Sequence, residues 1–265
     1  MVSHDEKEKC MSANVTTYSG KTVLITGGGT GVGADMARAF ASRGADVWIT
    51  GRRADVLENV AASHPSIMTH TCDVTQEADI IALFDKMECA DIVIANAGAA
   101  ASAPFDKTSL ELWHSLMDVN LTGVFLTLRE GVRRLKACKR LSGRLIAISS
   151  ITGKIGYPYI SAYAASKHGV LGMVKVAALE VAKTGITVNA ICPGYLDTEM
   201  TEKSINNIVT KTGISFEEAV DKLKIYSPQH RLFDADEVTA AALYLASEEA
   251  RGVNGQGLSV CGGET

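Results

Sequence analysis

The sequence of 265 residues lacks a long apolar run, an excess of positive charge and any C-x-x-C pair of cysteines. No apolar stretch approaches the roughly 18 residues that span a bilayer, so we predict no membrane partner. Because 26 Lys and Arg face 30 Asp and Glu, the net charge of −4 provides no basic field for nucleic acid. The six cysteines are scattered, which predicts neither a metal site nor a disulfide framework and favours reduced thiols in the cytoplasm.

The sequence also lacks internal repeats and a Pro-, Gly- or Ser-rich linker, so one domain is expected rather than two. Hydrophobic residues account for 46% of the chain, which is enough for the core of an α/β domain of about 250 residues. The N-terminal stretch mixes acids and bases and has no apolar segment, so we do not expect a secretory signal. We predict a flexible tail over residues 1–18 and a single domain over residues 19–265.

The chain does contain a regular alternation of short apolar runs with longer helical patterns. The predicted strands, each nearly continuous and therefore expected to be covered on both faces, are Thr22–Thr26, Asp46–Thr50, Ile67–Cys72, Asp91–Ala95, Arg144–Ser149, Thr187–Ile191 and Leu258–Val260. The predicted helices are Gly33–Arg43, Ala54–Ala62, Gln76–Glu88, Leu110–Leu135, Ala162–Thr184 and Asp236–Ser247. This order predicts an α/β protein with a single-domain Rossmann fold, a doubly wound parallel sheet of about seven strands with helices on both faces.

Residues 196–227 depart from this alternation, because they carry two helical patterns, Thr198–Val209 and Ser215–Ile225, and no strand. The segment follows the sixth strand, and loops at the carboxyl ends of parallel strands line the ligand crevice. We therefore predict a lid over the substrate, with a merely decorative helical hairpin as the alternative.

A glycine-rich turn, Thr26–Gly33 (TGGGTGVG), joins the first strand to the first helix. Glycine permits close approach of the backbone, and a helix N-terminus presents free N–H groups to an anion. The turn predicts a site for the pyrophosphate of a dinucleotide, with a purely structural turn as the alternative. The residues predicted to contact the cofactor here are Gly27, Gly29, Thr30, Gly31, Val32 and Gly33.

The end of the second strand indicates which dinucleotide binds. NAD sites usually place an acid there for the ribose hydroxyl, but here Arg52 and Arg53 follow Gly51. Guanidinium groups at this corner would pair with a 2′-phosphate, which favours NADP(H) and leaves NAD(H) as the alternative. In a purely structural interpretation, the two arginines are exposed charges at the entry of a helix.

Tyr163 and Lys167 are four residues apart at the start of a predicted helix, a spacing that brings their side chains together. A neighbouring ammonium would lower the pKa of the phenol from its usual value of about 10 and make Tyr163 a general acid or base. Upstream, Ser149 and Ser150 end the fifth strand, where a hydroxyl could bind a substrate oxygen.

With these motifs in this order, the sequence resembles the short-chain dehydrogenase/reductase family over nearly the whole chain after the tail. The resemblance rests on the glycine turn, Ser150, the Tyr163–Lys167 pair and further segments at the family's spacing, namely Cys72-Asp73-Val74, Asn96-Ala97-Gly98, Asn120 and Pro193-Gly194.

The resemblance implies a role for each matching residue. Tyr163 would protonate the carbonyl oxygen, Ser150 would orient that oxygen, and Lys167 would lower the pKa of Tyr163 and hold the nicotinamide ribose. Asn120 would anchor a water that relays protons to Lys167. Cofactor contacts are also implied at Asp73 (to the adenine), Val74, Asn96, Ala97, Gly98, Pro193, Gly194 and Thr198 (to the carboxamide). Structural alternatives exist, because Asn120 could satisfy backbone groups and Asp73 could cap a turn.

The family implies an NAD(P)-dependent oxidoreductase that interconverts a ketone and a secondary alcohol. Segments near the C-terminus resemble reductases of β-keto thioesters and polyketides, so a 3-oxoacyl thioester, bound to CoA or to a carrier protein, is the expected substrate. A basic run opposed by Glu130 alone would suit an acidic carrier, although such residues also suit a helix C-terminus: Arg129, Arg133, Arg134, Lys136, Lys139, Arg140 and Arg144.

Tyr157 and Tyr195 are expected to line the substrate site beside Ser150 and Tyr163, and an aromatic lining suits an acyl or cyclic ketone. The alternatives are an alcohol, cyclic-ketone or polyol dehydrogenase, and a sensor that binds NADP without turnover. Family members associate through the helices before and after the fifth strand, which implies a homodimer or homotetramer. The apolar helix Ala162–Thr184 fits that association, although core packing would produce the same pattern.

Overall fold

One parallel sheet dominates the computed structural model, which describes residues 17–140 and 142–265. Its strands are β1 (Thr22–Thr26), β2 (Asp46–Gly51), β3 (Ile67–Thr71), β4 (Ile92–Ala95), β5 (Gly143–Ile148), β6 (Ile186–Pro193) and β7 (Gly257–Val260). Their order across the sheet is β3-β2-β1-β4-β5-β6-β7, and every neighbouring pair is parallel. The predicted Rossmann fold with a doubly wound sheet of seven strands is confirmed.

Helices follow the strands in the predicted alternation. They are α1 (Gly31–Ala41), α2 (Ala54–Ala61), α3 (Glu77–Met87), α4 (Leu110–Met117), α5 (Gly123–Ala137), α6 (Ser161–Val181), α7 (Glu199–Thr212), α8 (Phe216–Lys224) and α9 (Ala235–Ala246). Within the described ranges, none of these helices is both long and apolar enough to cross a bilayer.

Alternate residues of the central strands point into two separate apolar cores. On one face, Val23 and Ile25 of β1 pack with Phe40 of α1 and with residues of α9. On the other face, Leu24 packs with Phe84 of α3 and with residues of α5 and α6. Because burial of one such side chain contributes about 1.5–3 kcal/mol, both helical layers are held to the sheet chiefly by apolar packing.

The edge strands depart from the expectation that every strand is covered on both faces. β3 and β7 lie at the two edges of the sheet, and most of their side chains are only half-buried. The sequence of β3, IMTHT, ends in three polar residues. An edge strand has a neighbour on one side only, so it tolerates polar residues that a central strand excludes.

The predicted helix Leu110–Leu135 is not continuous. α4 ends at Met117, and a π-helical turn, Asp118–Thr122, separates it from α5. Such a turn contains an extra residue and therefore changes the direction in which the next side chains point. Asn120, in the middle of the turn, is fully buried.

The predicted N-terminal tail includes a residue that belongs to the core. Tyr18 is buried, its ring packs edge-on against Phe40 at 4.8 Å, and its hydroxyl donates to the Leu243 carbonyl at 2.5 Å. The domain therefore begins before residue 19, since an apolar ring at this position fills the core. The rest of the predicted tail, residues 1–16, lies outside the described residues.

The predicted lid segment forms a helical hairpin of α7 and α8 with a small core of its own, formed by Ile205, Ala219 and Leu223. A parallel bridge between Leu196 and Phe233 closes the base of the hairpin. Within α7, the Asn207 side chain donates to the Ser102 hydroxyl at 3.1 Å, so α7 contacts the loop after β4. We call residues 196–233 the lid hairpin, which extends beyond the predicted boundary at residue 227.

Candidate active site

The residues predicted to carry chemistry gather at the carboxyl edge of the sheet. The strand order reverses between β1 and β4, and in open α/β sheets the ligand crevice forms at that reversal. The glycine turn follows β1, Asn96 follows β4, Ser150 follows β5, and Pro193 ends β6. The sheet therefore brings together segments that are far apart in the sequence.

The glycine turn packs directly against the end of β4. Gly27 has a φ of +66°, and a Cβ there would lie 2.8 Å from the Ala97 Cα. A Cβ on Gly33 would lie 2.2 Å from the Gly27 carbonyl oxygen, so no larger residue fits. The Asn96 side-chain amide donates to the carbonyls of Thr26 at 2.9 Å and Gly27 at 3.1 Å. Asn96 and Ala97 thus brace the turn in a fixed shape.

The first turn of α1 has the properties of an anion site. Thr30 is the N-cap, yet its side chain makes no capping hydrogen bond, and the first turn contains no acidic residue. The N–H groups there are consequently available to an anionic group, as a dinucleotide phosphate requires. Thr198 lies beside this turn, with its Cγ2 atom 3.6 Å from the position of a Cβ on Gly31. These residues fit a dinucleotide phosphate.

Two of the predicted contacts point their side chains elsewhere. Val32 and Val74 are buried in the two cores, and Val74 packs where α5 begins, 2.8 Å from the position of a Cβ on Gly123. Gly29 is also closely packed, with Val56 3.0 Å from the position of its Cβ. At these positions a cofactor contact would have to be made by the backbone.

The two arginines that are predicted to bind the 2′-phosphate are exposed. Arg52 and Arg53 follow β2 with their side chains in solvent, and within the described residues neither forms an ion pair. Both guanidinium groups are therefore available to a ligand at the end of β2. Their contact with a phosphate stays a prediction.

Asp73 has the structural role that was the alternative to adenine binding. Its Oδ1 atom accepts hydrogen bonds from the Thr75 backbone N–H at 3.0 Å and from the Thr75 hydroxyl at 2.9 Å. The carboxylate thereby stabilises the turn that leads into α3. Its contact with adenine remains a prediction.

Ser150, Tyr163 and Lys167 converge where β5 and α6 meet. Tyr163 and Lys167 lie in the first two turns of α6, and the Lys167 ammonium is 5.7 Å from the centre of the Tyr163 ring. Lys167 Nζ donates to the Ile148 carbonyl at 2.9 Å, which fixes the ammonium against the end of β5. Ser150 is buried, its Oγ atom accepts from the Thr152 N–H at 3.1 Å, and its side chain is near enough to the phenol to oppose the rise in the pKa of Tyr163. The predicted triad of side chains is therefore assembled.

The protonation of this group differs from the sequence-based prediction. Burial raises the pKa of Tyr163, and the smaller opposing effect comes from the Ser150 side chain rather than from Lys167. Burial also lowers the pKa of Lys167 to about 8. Desolvation disfavours both charged forms, and here it outweighs the attraction between ammonium and phenolate that the spacing suggested. The expectation of a lowered Tyr163 pKa is wrong for this structure.

Asn120 uses its side chain on the backbone of the loop after β4. Its Oδ1 atom accepts from the Ala99 N–H at 2.9 Å, and its amide donates to the Ala99 carbonyl at 2.8 Å. A Cβ on Gly98 would lie 3.0 Å from Asn120 Oδ1 and 3.7 Å from Lys167 Nζ. Gly98, Asn120 and Lys167 are thus neighbours, and the water relay through Asn120 remains a prediction.

Three aromatic rings lie together where the sequence predicts the substrate side of the site. Tyr157 lies 6.3 Å from Tyr195 between ring centres, and both contact a third ring that the sequence did not single out, Tyr226 after α8. Burial raises the pKa of Tyr195 to about 12, with smaller contributions from the phenols of Tyr226 and Tyr163. The sequence places Tyr226 inside the predicted lid segment, which was the only indication of its role. The direction of its side chain depends on how the hairpin folds, which the sequence pattern does not show.

Pro193 and Gly194 lie where β6 leaves the sheet. The Gly194 N–H donates to the Val260 carbonyl at 2.9 Å, and Phe233 comes within 3.2 Å of the position of a Cβ on Gly194. These contacts hold the start of the lid hairpin against β7. The predicted cofactor contacts of Pro193 and Gly194 remain predictions.

The basic run near the end of α5 is less positive than its sequence suggests. Arg134 pairs with Asp85 at 2.5 Å and with Glu130 at 2.8 Å, and Arg129 pairs with Glu77. Arg144 is buried rather than exposed and donates to three backbone carbonyls, those of Gly143, Gly185 and Ser247. The expectation that Glu130 alone opposes the run is wrong, because acids from other elements fold against it.

Comparison with known proteins decides the family. The family model described as enoyl-(acyl carrier protein) reductase matches residues 27–265. A D-β-hydroxybutyrate dehydrogenase of Rhizobium meliloti is 36% identical over 256 residues, covering 92% of this chain and 98% of that protein. The chain belongs to the short-chain dehydrogenase/reductase family.

Two further proteins are similar to this chain. A protein of Streptomyces coelicolor named as a ketoacyl reductase is 32% identical over 257 residues, covering 94% of this chain and 98% of its own. The crystal structure of a variant actinorhodin polyketide ketoreductase with NADPH superposes with a TM-score of 0.87 at 32% identity, covering 94% of this chain and 98% of that chain. The chain is accordingly an NAD(P)-dependent oxidoreductase that interconverts a ketone and a secondary alcohol, as the resemblance implied.

Proposed function

We propose that the chain reduces a β-keto acyl compound, a 3-oxoacyl thioester or a close analogue, with NADPH. The observation that carries this proposal is the convergence of Ser150, Tyr163 and Lys167 beside the glycine turn. One relative is named for β-hydroxybutyrate and another for a ketoacyl group, so both names describe acyl compounds that carry a further hydroxyl or keto group. Their shared chemistry favours a β-keto acyl substrate over a polyol.

The proton in this reduction comes from Tyr163. Burial raises the pKa of the phenol, so Tyr163 keeps its proton at neutral pH and can donate it to the carbonyl oxygen. The Ser150 hydroxyl orients the same oxygen by a hydrogen bond. Lys167, with its pKa lowered to about 8, still carries its charge at neutral pH and stabilises the phenolate that remains.

The cofactor site uses backbone groups more than side chains. When bound, the reduced nicotinamide supplies the hydride. Thr30, Gly31 and the first turn of α1 would hold the pyrophosphate, and Asn96 and Ala97 keep the turn in shape. Arg52 and Arg53 would pair with the 2′-phosphate, which is the basis for preferring NADPH to NADH.

A cyclic or aromatic ketone is the second candidate substrate, because three tyrosine rings line this side of the site.

A carrier protein docked on the basic run is less favoured than a free or CoA-linked substrate. Within the described residues Lys136 and Lys139 are without ion pairs, but they lie where α5 leads into the amino end of β5, at the sheet edge opposite the crevice. We expect the reaction to run in the cytoplasm, where the five described cysteines, all free, would stay reduced.

The decisive experiment is to measure NADPH and NADH oxidation with a panel of β-keto thioesters, β-keto esters and cyclic ketones. We predict that Tyr163→Phe lowers kcat by about 10²–10⁴-fold, because the phenol is the proton donor, while NADPH affinity changes little. Tyr244→Phe is the matched control, since Tyr244 lies half-exposed on α9, away from the crevice, and should retain full activity.

Two results would contradict this function. Near-normal turnover by Tyr163→Phe would remove the phenol from the mechanism. A wild-type protein that binds NADPH but oxidises none of it with any ketone of the panel would instead be the NADP-binding sensor.

A further inference from the structure

Three aromatic rings from three separate segments form one cluster at the carboxyl edge of the sheet. Tyr157 comes from the connection between β5 and α6, Tyr195 follows β6, and Tyr226 follows α8 at the end of the lid hairpin. The Tyr157 and Tyr226 rings meet edge-to-face at 4.8 Å, and Tyr195 lies 6.3 Å and 6.0 Å from them. We call these three residues the tyrosine cluster.

The Tyr157 hydroxyl has no solvent contact and no hydrogen-bond partner. Buried polar groups are almost always paired, because losing water without gaining a partner is unfavourable. The rings that surround Tyr157 in the cluster are apolar at their faces and edges. The hydroxyl is therefore a donor that the protein itself leaves unused.

The position of the cluster connects this hydroxyl with the substrate. Tyr195 and Ser150 follow the carboxyl ends of the neighbouring strands β6 and β5, and the Tyr195 phenol is near enough to Tyr163 for the pKa of Tyr195 to be affected. Tyr195 is also the neighbour of Tyr157. The Tyr195 ring thus lies between the unpaired Tyr157 hydroxyl and Tyr163, the proposed proton donor. Tyr226 is 41% exposed and belongs to the lid hairpin, so the side of the cluster that faces solvent is the one that a moving hairpin would uncover.

We propose that the Tyr157 hydroxyl donates a hydrogen bond to a second oxygen of the substrate, so that the site selects ketones carrying another carbonyl over ketones with none. A phenol O–H is a good donor to a carbonyl oxygen. In a β-keto ester or thioester, a single CH₂ group separates the reacting ketone from a second carbonyl, whose oxygen could accept this hydrogen bond. The proposal rests on the proposed reduction of β-keto acyl compounds and names the residue that recognises the acyl end.

The test compares ethyl acetoacetate with 2-heptanone, which has the same chain length but lacks the second carbonyl. Wild-type protein should have the higher kcat/KM for ethyl acetoacetate. Tyr157→Phe should lower that value by about 5- to 10-fold, chiefly through KM, and should leave 2-heptanone unchanged. Thr187→Val is the matched control, because Thr187 also has a buried unpartnered hydroxyl but lies at the amino end of β6.

Binding of the two compounds is measured in parallel by ligand-observed NMR, with and without NADP+, so that the comparison does not depend on turnover. A Tyr157→Phe variant that loses both compounds equally, or loses neither, would overturn the proposal. Wild-type protein that turns over neither compound, yet binds ethyl acetoacetate preferentially and loses that preference in Tyr157→Phe, would instead refute the proposed reaction and keep the role of Tyr157. The thermal midpoint of Tyr157→Phe should not fall, since the variant removes an unpaired group.

Discussion

Tyr163 and Lys167 keep the helical spacing that their sequence predicts, but their titration could not be predicted from that spacing. A separation of four residues establishes that a phenol and an ammonium are neighbours, and leaves open how far each is removed from water. Lys167 is 3% exposed, and its environment depends on β5 and on the turn Ile151–Gly153 that packs against α6. Desolvation is thus a property of the tertiary structure, and here it determines both pKa directions.

Arg52 and Arg53 provide a prediction about cofactor choice. Because both guanidinium groups are exposed and unpaired within the described residues, replacing both with Ala should cost little stability. We expect the double variant to weaken NADPH by roughly 10- to 100-fold, the effect of losing charge-assisted hydrogen bonds, and to leave NADH nearly unchanged. Fluorescence titration of both nucleotides checks this.

The control for that measurement is Arg251→Ala, which removes an exposed guanidinium from the loop before β7 at the opposite edge of the sheet. Its nucleotide affinities should match those of the wild type. If the double variant weakens NADPH and NADH by the same factor, the arginines do not read the 2′-phosphate. The difference should also shrink at high salt, because exposed charges are screened.

At the level of the elements, sequence patterns located every strand to within two residues, since apolar runs are local signals. The π-helical turn at Asp118–Thr122 was not predictable in the same way. It accompanies the pair of hydrogen bonds between the Asn120 side chain and the Ala99 backbone, 21 residues away along the chain. A local helical pattern contains no information about that partner.

The lid hairpin gives a prediction for an element. The hydrogen bond from Asn207 to Ser102 joins α7 to the loop after β4, so Asn207→Ala should favour a more open hairpin. We expect KM for the ketone to rise by about 2- to 10-fold, the range for one neutral hydrogen bond, with a smaller change in kcat. Asn206→Ala is the control, because that side chain is exposed on the same helix. Equal effects of the two variants would show that the contact does not hold the hairpin.

Over the whole molecule, the pattern of charges along the sequence did not predict the pattern on the surface. The basic residues of α5 and of the turn after it lie close together in sequence, but Glu77 and Asp85 of α3 and Asp91 before β4 lie against them in the fold. Ion pairs between elements depend on which helices pack together, and that is fixed by the two apolar cores. A carrier-docking site inferred from a run of arginines is correspondingly weak.

The exposed apolar residues of α4, α5 and α6 fit the homodimer or homotetramer that the resemblance implies, and we propose that they form its interface. Leu110 and Phe125 lie near the starts of α4 and α5, whereas Val176 and Leu179 lie near the end of α6. α5 and α6 run in the same direction on one face of the sheet, so these two apolar groups lie at opposite ends of that face. A two-fold axis reverses one protomer, and would bring the α6 end of each copy onto the α4 and α5 starts of the other.

This arrangement predicts that Leu179→Glu, at a side chain 79% exposed in the single chain, lowers the assembly mass, because two charged groups would be buried in a symmetric interface. Sedimentation velocity or light scattering after size exclusion measures the change. Tyr244→Glu places the same charge on an exposed apolar position of α9, on the other face of the sheet, and should leave the mass unaltered. A wild-type protein that sediments as a monomer would show that there is no such interface. An unchanged mass for Leu179→Glu would show that the interface lies elsewhere.

The same variant also tests whether a site needs a second chain. Since Tyr163 and Lys167 lie at the opposite end of α6 from Leu179, dissociation without loss of kcat would show that each site is complete within one chain.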